Sequence, residues 1–284
     1  MNELPPALTW LYVPGDRPDR FEKAVNSETD VVVIDLEDAV APTGKDAARA
    51  NARSFVDSPR SKPVIVRVND LRSPWGRADL ETLSSAPGLG GLRLPKVESA
   101  ADVHAVVACL KRALPLDCLI ETARGVEVAF EIASAPGVAR IGLGEADLRS
   151  DLGASDDDVL LWSRGRVVVA ARAAGLSRPA MSVYANVADL DGLAASCARG
   201  RALGFLGRAA IHPRQLPVIV QAFTPSAAEI GAAREVLDAV ETGDRAGVGV
   251  IVLPDGRFVD RAMVEGARLT LALASRAGGR VVRP

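Results

Sequence analysis

VVVIDLEDAV, residues 31–40, decides the fold class. Its first four residues, Val31–Ile34, are all β-branched. Such a run suits a strand buried on both faces, as in a parallel sheet covered by helices. The chain then turns acidic at Asp35, Glu37 and Asp38. Carboxylates are costly to bury unless paired or bound to a cation. An apolar run that ends in three of them therefore marks a strand whose C-terminal end opens onto a site. Alternation along the strand puts Val31, Val33, Asp35 and Glu37 on one face.

Seven further runs of similar character flank this one: Trp10–Pro14, Pro63–Asn69, Gly91–Val97, Asp117–Thr122, Arg140–Asp147, Ala180–Tyr184 and Gly204–Ile211. Between them lie Ala-rich, charged stretches of helical character: Arg17–Ser27, Gly44–Val56, Ala78–Ser84, Ser99–Arg112, Gly125–Ser134, Asp156–Ala174, Asp189–Leu203 and Pro213–Ala222. Strands alternating with helices predict parallel βα units. Eight such units predict an α/β fold closed as a (β/α)8 TIM barrel over residues 1–223, with an open doubly wound sheet as the competitor. Residues 224–284 form a C-terminal extension. It reads as a helix over Pro225–Thr242, a polar turn over Gly243–Gly249, a hairpin from Val248–Leu253 through Pro-Asp-Gly to Arg257–Val259, and a helix over Asp260–Ala274. Its expected use is an oligomer contact or a lid.

Composition narrows the partners. The formal net charge is −2 with no basic stripe, which argues against nucleic acid. No apolar run reaches the ~20 residues of a membrane span, and the first residues lack the basic and apolar regions of a signal peptide. Cys109, Cys118 and Cys197 share no metal-type spacing and read as free thiols, so a cytoplasmic setting is expected. No glycine-rich nucleotide fingerprint or Walker loop is present.

In a barrel of this kind the site lies at the C-terminal strand ends. Those ends carry Arg17, then Asp35, Glu37 and Asp38, then Arg67, Lys96, Glu121, Glu145 with Asp147, and His212. Glu121 and Asp147 end neighbouring strands and offer hard oxygen ligands. Two carboxylates with open positions suit Mg2+ better than zinc, given only two histidines. Arg17 and Arg67 are candidate carboxylate clamps, because a guanidinium can hold a planar carboxylate through two parallel hydrogen bonds. His212, alone before Pro213, reads as structural rather than as a base.

The motifs LYVPGDRPDRFEKA (11–24), VVVIDLEDAV (31–40), VIVRVND (64–70), LRLPKVES (92–99), LIETARGV (119–126), IGLGEADLRSDLG (141–153), GFLGRAAIHPRQL (204–216) and GRFVDRAMVEGAR (256–268) resemble the citrate lyase β-subunit-like proteins of the HpcH/HpaI aldolase and citrate lyase superfamily. The resemblance implies a homotrimeric barrel with Mg2+ on Glu121 and Asp147. It implies that Arg67 binds the carboxylate of a 2-oxo acid, and that a coenzyme A or acyl-carrier thioester forms the other half of the substrate. It also implies that Asp260 reaches a neighbouring subunit's site, where it is the candidate acid/base. Glu37 and Lys96 would orient these groups, with Arg17 assisting Arg67. The expected reaction is cleavage or formation of the carbon–carbon bond in a malyl, citramalyl or citryl thioester. A thioester-free aldolase, a citrate lyase complex subunit, phosphoenolpyruvate-type chemistry and a non-catalytic binding subunit are the alternatives. The chain departs from the resemblance at Leu206 and Arg208, where relatives often carry Asp and Lys.

Overall fold

Seven parallel strands form one sheet in the computed structural model, which describes residues 7–246, 250–253 and 256–279. They are β1 (Thr9–Pro14), β2 (Val31–Asp35), β3 (Val64–Arg67), β4 (Leu89–Leu94), β5 (Leu116–Ile120), β6 (Val138–Leu143) and β7 (Arg208–Ala210). Their order is β6-β5-β4-β3-β2-β1-β7, so sequence neighbours pair along the sheet and the last strand lies beside the first. That cyclic order is the (β/α)8 barrel expected from the alternating pattern.

The expected strand Ala180–Tyr184 is reduced to a single bridge, Met181 to Arg208. Pro179 contributes no N–H, and Ser182 and Tyr184 spend their hydrogen bonds elsewhere. Ser182 Oγ accepts from Glu145 N, and the Tyr184 carbonyl accepts from Gln215 Nε2. The segment still takes the place next to β7, through Met181 N to the Gly207 carbonyl and Ala209 N to the Met181 carbonyl.

Helices cover the outside of the sheet where apolar positions recur. Lys45–Phe55 buries Ala48, Ala52 and Phe55. Ser99 Oγ accepts from Asp102 N to start Ala100–Cys109, and Asp189 starts Leu190–Ala202 by accepting from Gly192 N. The expected helix Gly125–Ser134 is two short pieces, Ala123–Glu127 and Ala129–Ala133, that meet at Val128.

Inside the sheet the packing is divided. One part is apolar, with Trp10, Val31, Val33, Ile65 and Ala209 in contact. The other carries charge. The register sets Asp35 beside Arg67, Arg67 beside Arg93, Arg93 beside Asp117, and Asp117 beside Arg140, across five neighbouring strands. All five are buried, at 2% to 9% exposure. Arg93 donates from Nε and Nη2 to Asp117 Oδ2, at 3.1 and 2.5 Å. The Tyr12 ring lies under both Arg67 and Arg93, with 5.2 and 5.4 Å from each guanidinium carbon to the ring centroid. Its hydroxyl accepts from Arg93 Nη1.

The chain divides into two compact units at Phe223 and Thr224. The second contains the helix Ala227–Ala246, which runs through the first part of the expected turn at Gly243–Gly249. Residues 247–249 of that turn, and Pro254 and Asp255 of the hairpin tip, lie outside the described residues, as do residues 1–6. The hairpin strands are β8 (Ile251–Val252) and β9 (Phe258–Val259), paired antiparallel. Asp260 caps the turn Arg261–Met263 by accepting from Ala262 N, and Val264–Gly279 follows as a helix.

Replacing Asp117 by Ala removes the acceptor of a buried guanidinium. We expect urea unfolding to show a loss of about 3–5 kcal/mol. The double change Arg93→Met with Asp117→Leu should cost less than this single one, because no charge is then left buried alone.

Candidate active site

β2 and β3 end side by side, and their last residues build the centre of the site. Asp35 accepts from Arg67 Nε at 2.7 Å and from Arg67 Nη2 at 2.6 Å, a bidentate pair. Asp35 also accepts from the Glu37 and Ala39 backbone N–H groups. The loop after β2 is thereby folded around its own last strand residue. Lys45 secures the same loop by donating to the Leu36 and Glu37 carbonyls. Arg67 Nη1 reaches Asp38 Oδ2 at 3.1 Å, and lies 2.8 Å from Glu37 Oε2 in an ion pair.

Glu37 is 6% exposed. Lys96 Nζ donates to its Oε1 at 2.5 Å, whereas its buried Oε2 has no aligned hydrogen bond. Lys96 sits in the left-handed region, at φ 51, which side chains other than glycine seldom adopt. Both of its backbone groups are held: the N–H donates to Glu121 Oε2 at 3.0 Å, and the carbonyl accepts from Arg72 Nη2. The strained residue thus joins the end of β4 to Glu121, and its ammonium reaches Glu37 while lying 3.9 Å from Asp147 Oδ1.

Glu121 follows β5 and is 2% exposed. Burial pushes its carboxyl up to about 7, and the neighbouring charges of Glu37 and Asp147 add to that against Arg67 and Lys96. Glu37 is likewise raised, by burial first, with Arg67 and Lys96 opposing. Gly144 makes room for Glu121. A Cβ at Gly144 would overlap Glu121 Cγ and lie 2.5 Å from Oε1. Asp147 is in the first turn of the helix Glu145–Leu152, and its carboxylate is 40% exposed. Glu145, in the same turn, makes a bidentate pair with Arg164.

A cavity of about 450 Å³ opens at the C-terminal strand ends. Asp35, Asp38, Arg67, Glu121 and Asp147 all border it, and it extends inward past Tyr12 and Arg93 to Trp10 and Arg140. Among the described residues no three His, Cys, Asp or Glu side chains converge as a preformed cage. The donor set instead fits a small hard cation that keeps waters and takes one or two carboxylates. Glu121 is buried with incomplete charge compensation, Asp147 stands beside it, and Glu37 Oε2 lacks a hydrogen bond nearby.

The other residues read from the sequence are placed differently. Arg17 pairs with Asp19 at the surface and is not part of the cavity lining. His212 Nδ1 accepts from Arg214 N, a local turn contact. Arg208 points away from the cavity to Ser196 Oγ and Cys197 Sγ, under the Tyr184 ring. Asp260 lies in the second unit as a helix cap. Sequence reading passed over Arg93, Asp117 and Arg140. Parity held the signal for Asp117, which is two residues before Leu119 and four before Glu121.

A parallel barrel whose mouth groups the buried Glu121 and the part-exposed Asp147 with a buried guanidinium is the architecture of a carbon–carbon lyase. The chain belongs to the HpcH/HpaI aldolase/citrate lyase family, which matches residues 8–213. It is 39% identical over 278 residues to a (3S)-malyl-CoA thioesterase of Cereibacter sphaeroides, covering 96% of each chain. It is 33% identical to an L-malyl-CoA/beta-methylmalyl-CoA lyase of Rhodobacter capsulatus, covering 94% of each. Among solved structures, CitE from Mycobacterium tuberculosis in complex with magnesium, acetoacetate and coenzyme A superimposes with a TM-score of 0.82. That protein is 33% identical, and the match covers 95% of this chain and 99% of that one.

Two outcomes are expected. Gly144→Ala should displace the Glu121 carboxylate and weaken Mg2+ binding by about tenfold or more while the circular dichroism spectrum is retained. With Glu121 as a ligand, cation binding must also expel the proton that burial favours. Affinity should therefore rise with pH up to about 7 and level off above it, with a fall below of up to ~tenfold per pH unit. Titration calorimetry with MgCl2 across this range measures both, and a flat profile would remove Glu121 from the coordination set.

Proposed function

We propose that this chain is a Mg2+-dependent carbon–carbon lyase. It acts on a 3-hydroxyacyl coenzyme A thioester of malyl, citramalyl or citryl type, giving an acetyl-type thioester and a 2-oxo acid, or running in reverse. The observation that carries the reading is the placement of Glu121 and Asp147 within one cavity with Arg67. Relatives that act on malyl thioesters, and a neighbour crystallised with magnesium and coenzyme A, support it.

Glu121 and Asp147 would hold the metal, and when bound it supplies Lewis acidity for the hydroxyl and carbonyl oxygens of the substrate. Arg67 holds the carboxylate of the 2-oxo acid half, which fixes the carbon–carbon bond relative to the carboxylate pair. Lys96 positions Glu121 through its N–H and Glu37 through its ammonium. Cleavage requires the substrate hydroxyl to give up its proton as the 2-oxo acid forms, and leaves negative charge on the acetyl fragment, which takes up a proton at its carbon. Asp260 of a neighbouring copy is the proposed acid/base that accepts the first proton and returns one to that carbon, and the C-terminal extension is the proposed contact of a homotrimer.

A second reading has its own support. The relatives with 39% identity are thioesterases, so the same malyl thioester could instead be hydrolysed at its acyl–sulfur bond. An acyl-carrier thioester or a thioester-free 2-oxo acid would use the same Arg67 and carboxylate pair.

Mass spectrometry of malyl-, citramalyl- and citryl-coenzyme A incubated with enzyme and Mg2+ separates these. The lyase yields acetyl-coenzyme A and one 2-oxo acid, and EDTA abolishes the products. Free coenzyme A with the intact hydroxy acid means the thioesterase. No turnover of any of the three overturns both.

A further inference from the structure

Arg67 has three carboxylates around it, and they are not equivalent. Asp35 is 2% exposed and accepts four hydrogen bonds, two from Arg67 and two from the backbone of its own loop. It cannot leave without unfolding that loop. Glu37 is 6% exposed and fixed by Lys96. Asp38 differs. Its side chain is 58% exposed, it borders the cavity, and its hydrogen bond to Arg67 Nη1 at 3.1 Å is longer than either bond from Asp35.

The guanidinium has two usable edges. Asp35 covers the Nε–Nη2 edge completely. On the remaining edge, formed by Nη1 and the second hydrogen of Nη2, Nη1 donates to Asp38, which borders the cavity, while the buried Glu37 Oε2 lies 2.8 Å from Nη1 without an aligned hydrogen bond. A carboxylate arriving from the cavity meets Asp38 there.

We propose that Asp38 is a resident stand-in for the substrate carboxylate, which holds the open edge of Arg67 and is displaced when a 2-oxo acid binds. The inference rests on the reading that Arg67 takes that carboxylate. It gives Asp38 a role in selection. A neutral aldehyde or ketone offers nothing that competes for Arg67, so the Asp38–Arg67 pair stays closed against it. An anionic ligand replaces one charged contact by a better one, with two parallel hydrogen bonds in place of one. The exchange also keeps the buried guanidinium compensated at every stage, because Asp35 never leaves.

The test uses the full-length protein with MgCl2 and pyruvate as the probe. Asp38→Asn removes the competing charge and should tighten pyruvate binding by about twofold to fivefold, the range that a partly exposed ion pair supports. In an Arg67→Lys background, where the two-edged fork is gone, the same change should have less than about half that effect. Unchanged or weaker binding in Asp38→Asn overturns the proposal, as does an equal gain in both backgrounds, which would mean simple charge repulsion at the mouth. A crystal structure with Mg2+ and pyruvate supplies a readout independent of any variant. Pyruvate on the Nη1–Nη2 edge with Asp38 moved out of hydrogen-bond range supports the exchange. Pyruvate on Arg67 with Asp38 still bound sinks the exchange and leaves the role of Arg67 standing. Pyruvate bound away from Arg67 sinks both.

Discussion

A guanidinium buried at the mouth of the barrel must be neutralised before anything else can be built there, and the Asp35–Arg67 pair does this. An ion pair out of water is favourable only when its hydrogen bonds are well made. Here both oxygens of Asp35 meet Arg67, and both also accept backbone N–H groups from the loop that follows β2. The pairing therefore fixes more than two side chains. It sets the path of the chain through Glu37 and Asp38, and so decides where those carboxylates stand relative to Lys96 and Glu121. The adjoining pair, Arg93 with Asp117, extends the same solution one step deeper, with the Tyr12 ring filling the space between the two guanidinium groups. Register does the rest. Parallel strands that place Asp35, Arg67, Arg93, Asp117 and Arg140 abreast bring opposite charges within reach without any long loop.

The eight-unit pattern and most strand positions were legible because buried parallel strands write themselves as unbroken apolar runs. The acid-bearing ends were legible because a charge directly after such a run needs a reason. Three things were harder to read. Ala180–Tyr184 has strand composition but lacks a ladder, since Pro179 and the side bonds of Ser182 and Tyr184 compete with it. Arg93, Asp117 and Arg140 lie within strands rather than at their ends, and single-sequence parity does not say which face is interior. The pairing of Arg67 with Asp35 rather than with a ligand depends on the side-chain geometry across two strands, which spacing along one chain does not encode. Helix ends shifted for a simpler reason. Gly243 and Asp244 read as a turn, yet the helix continues through them, where Arg261 pairs with Asp244.

Charge imbalance at the mouth and strain at Lys96 have one origin. Glu121 has almost no water around it, and its proton is favoured up to about 7, first by that burial and then because Glu37 and Asp147 stand close. A protein that only needed a stable core would replace such a group with an apolar one. Retaining it requires the Lys96 N–H, and that N–H points at Glu121 only because Lys96 takes a left-handed conformation. Gly144 belongs to the same arrangement, since any side chain there would fill the space the Glu121 carboxylate occupies. Three separate departures from ordinary stability rules thus converge on one carboxylate. Local rules broken together around one group, while the surrounding strands obey them, are what a site selected for chemistry produces.

The barrel interior is then best understood as a gradient of commitment. At its apolar side Val31, Val33 and Ile65 pack as an ordinary core, with Trp10 closing the inner end of the cavity against them. At mid-depth Arg93 and Asp117 satisfy each other, so they shape the cavity without being available to a ligand. At the mouth the compensation is incomplete: Asp147 is 40% exposed, Asp38 holds one exposed contact, and Glu121 is buried beside carboxylates that oppose its ionised form. Incomplete compensation costs stability in the empty protein, and the same deficit is what a cation and an anionic ligand bound together would relieve. In the proposed binding mode, a metal at Glu121 and Asp147 would remove repulsion among the carboxylates, and a ligand carboxylate on Arg67 would release Asp38. Each event would lower the cost of the other because both act on one cluster of charges, so the proposed metal and 2-oxo acid sites would be coupled through electrostatics, with no movement of the barrel required.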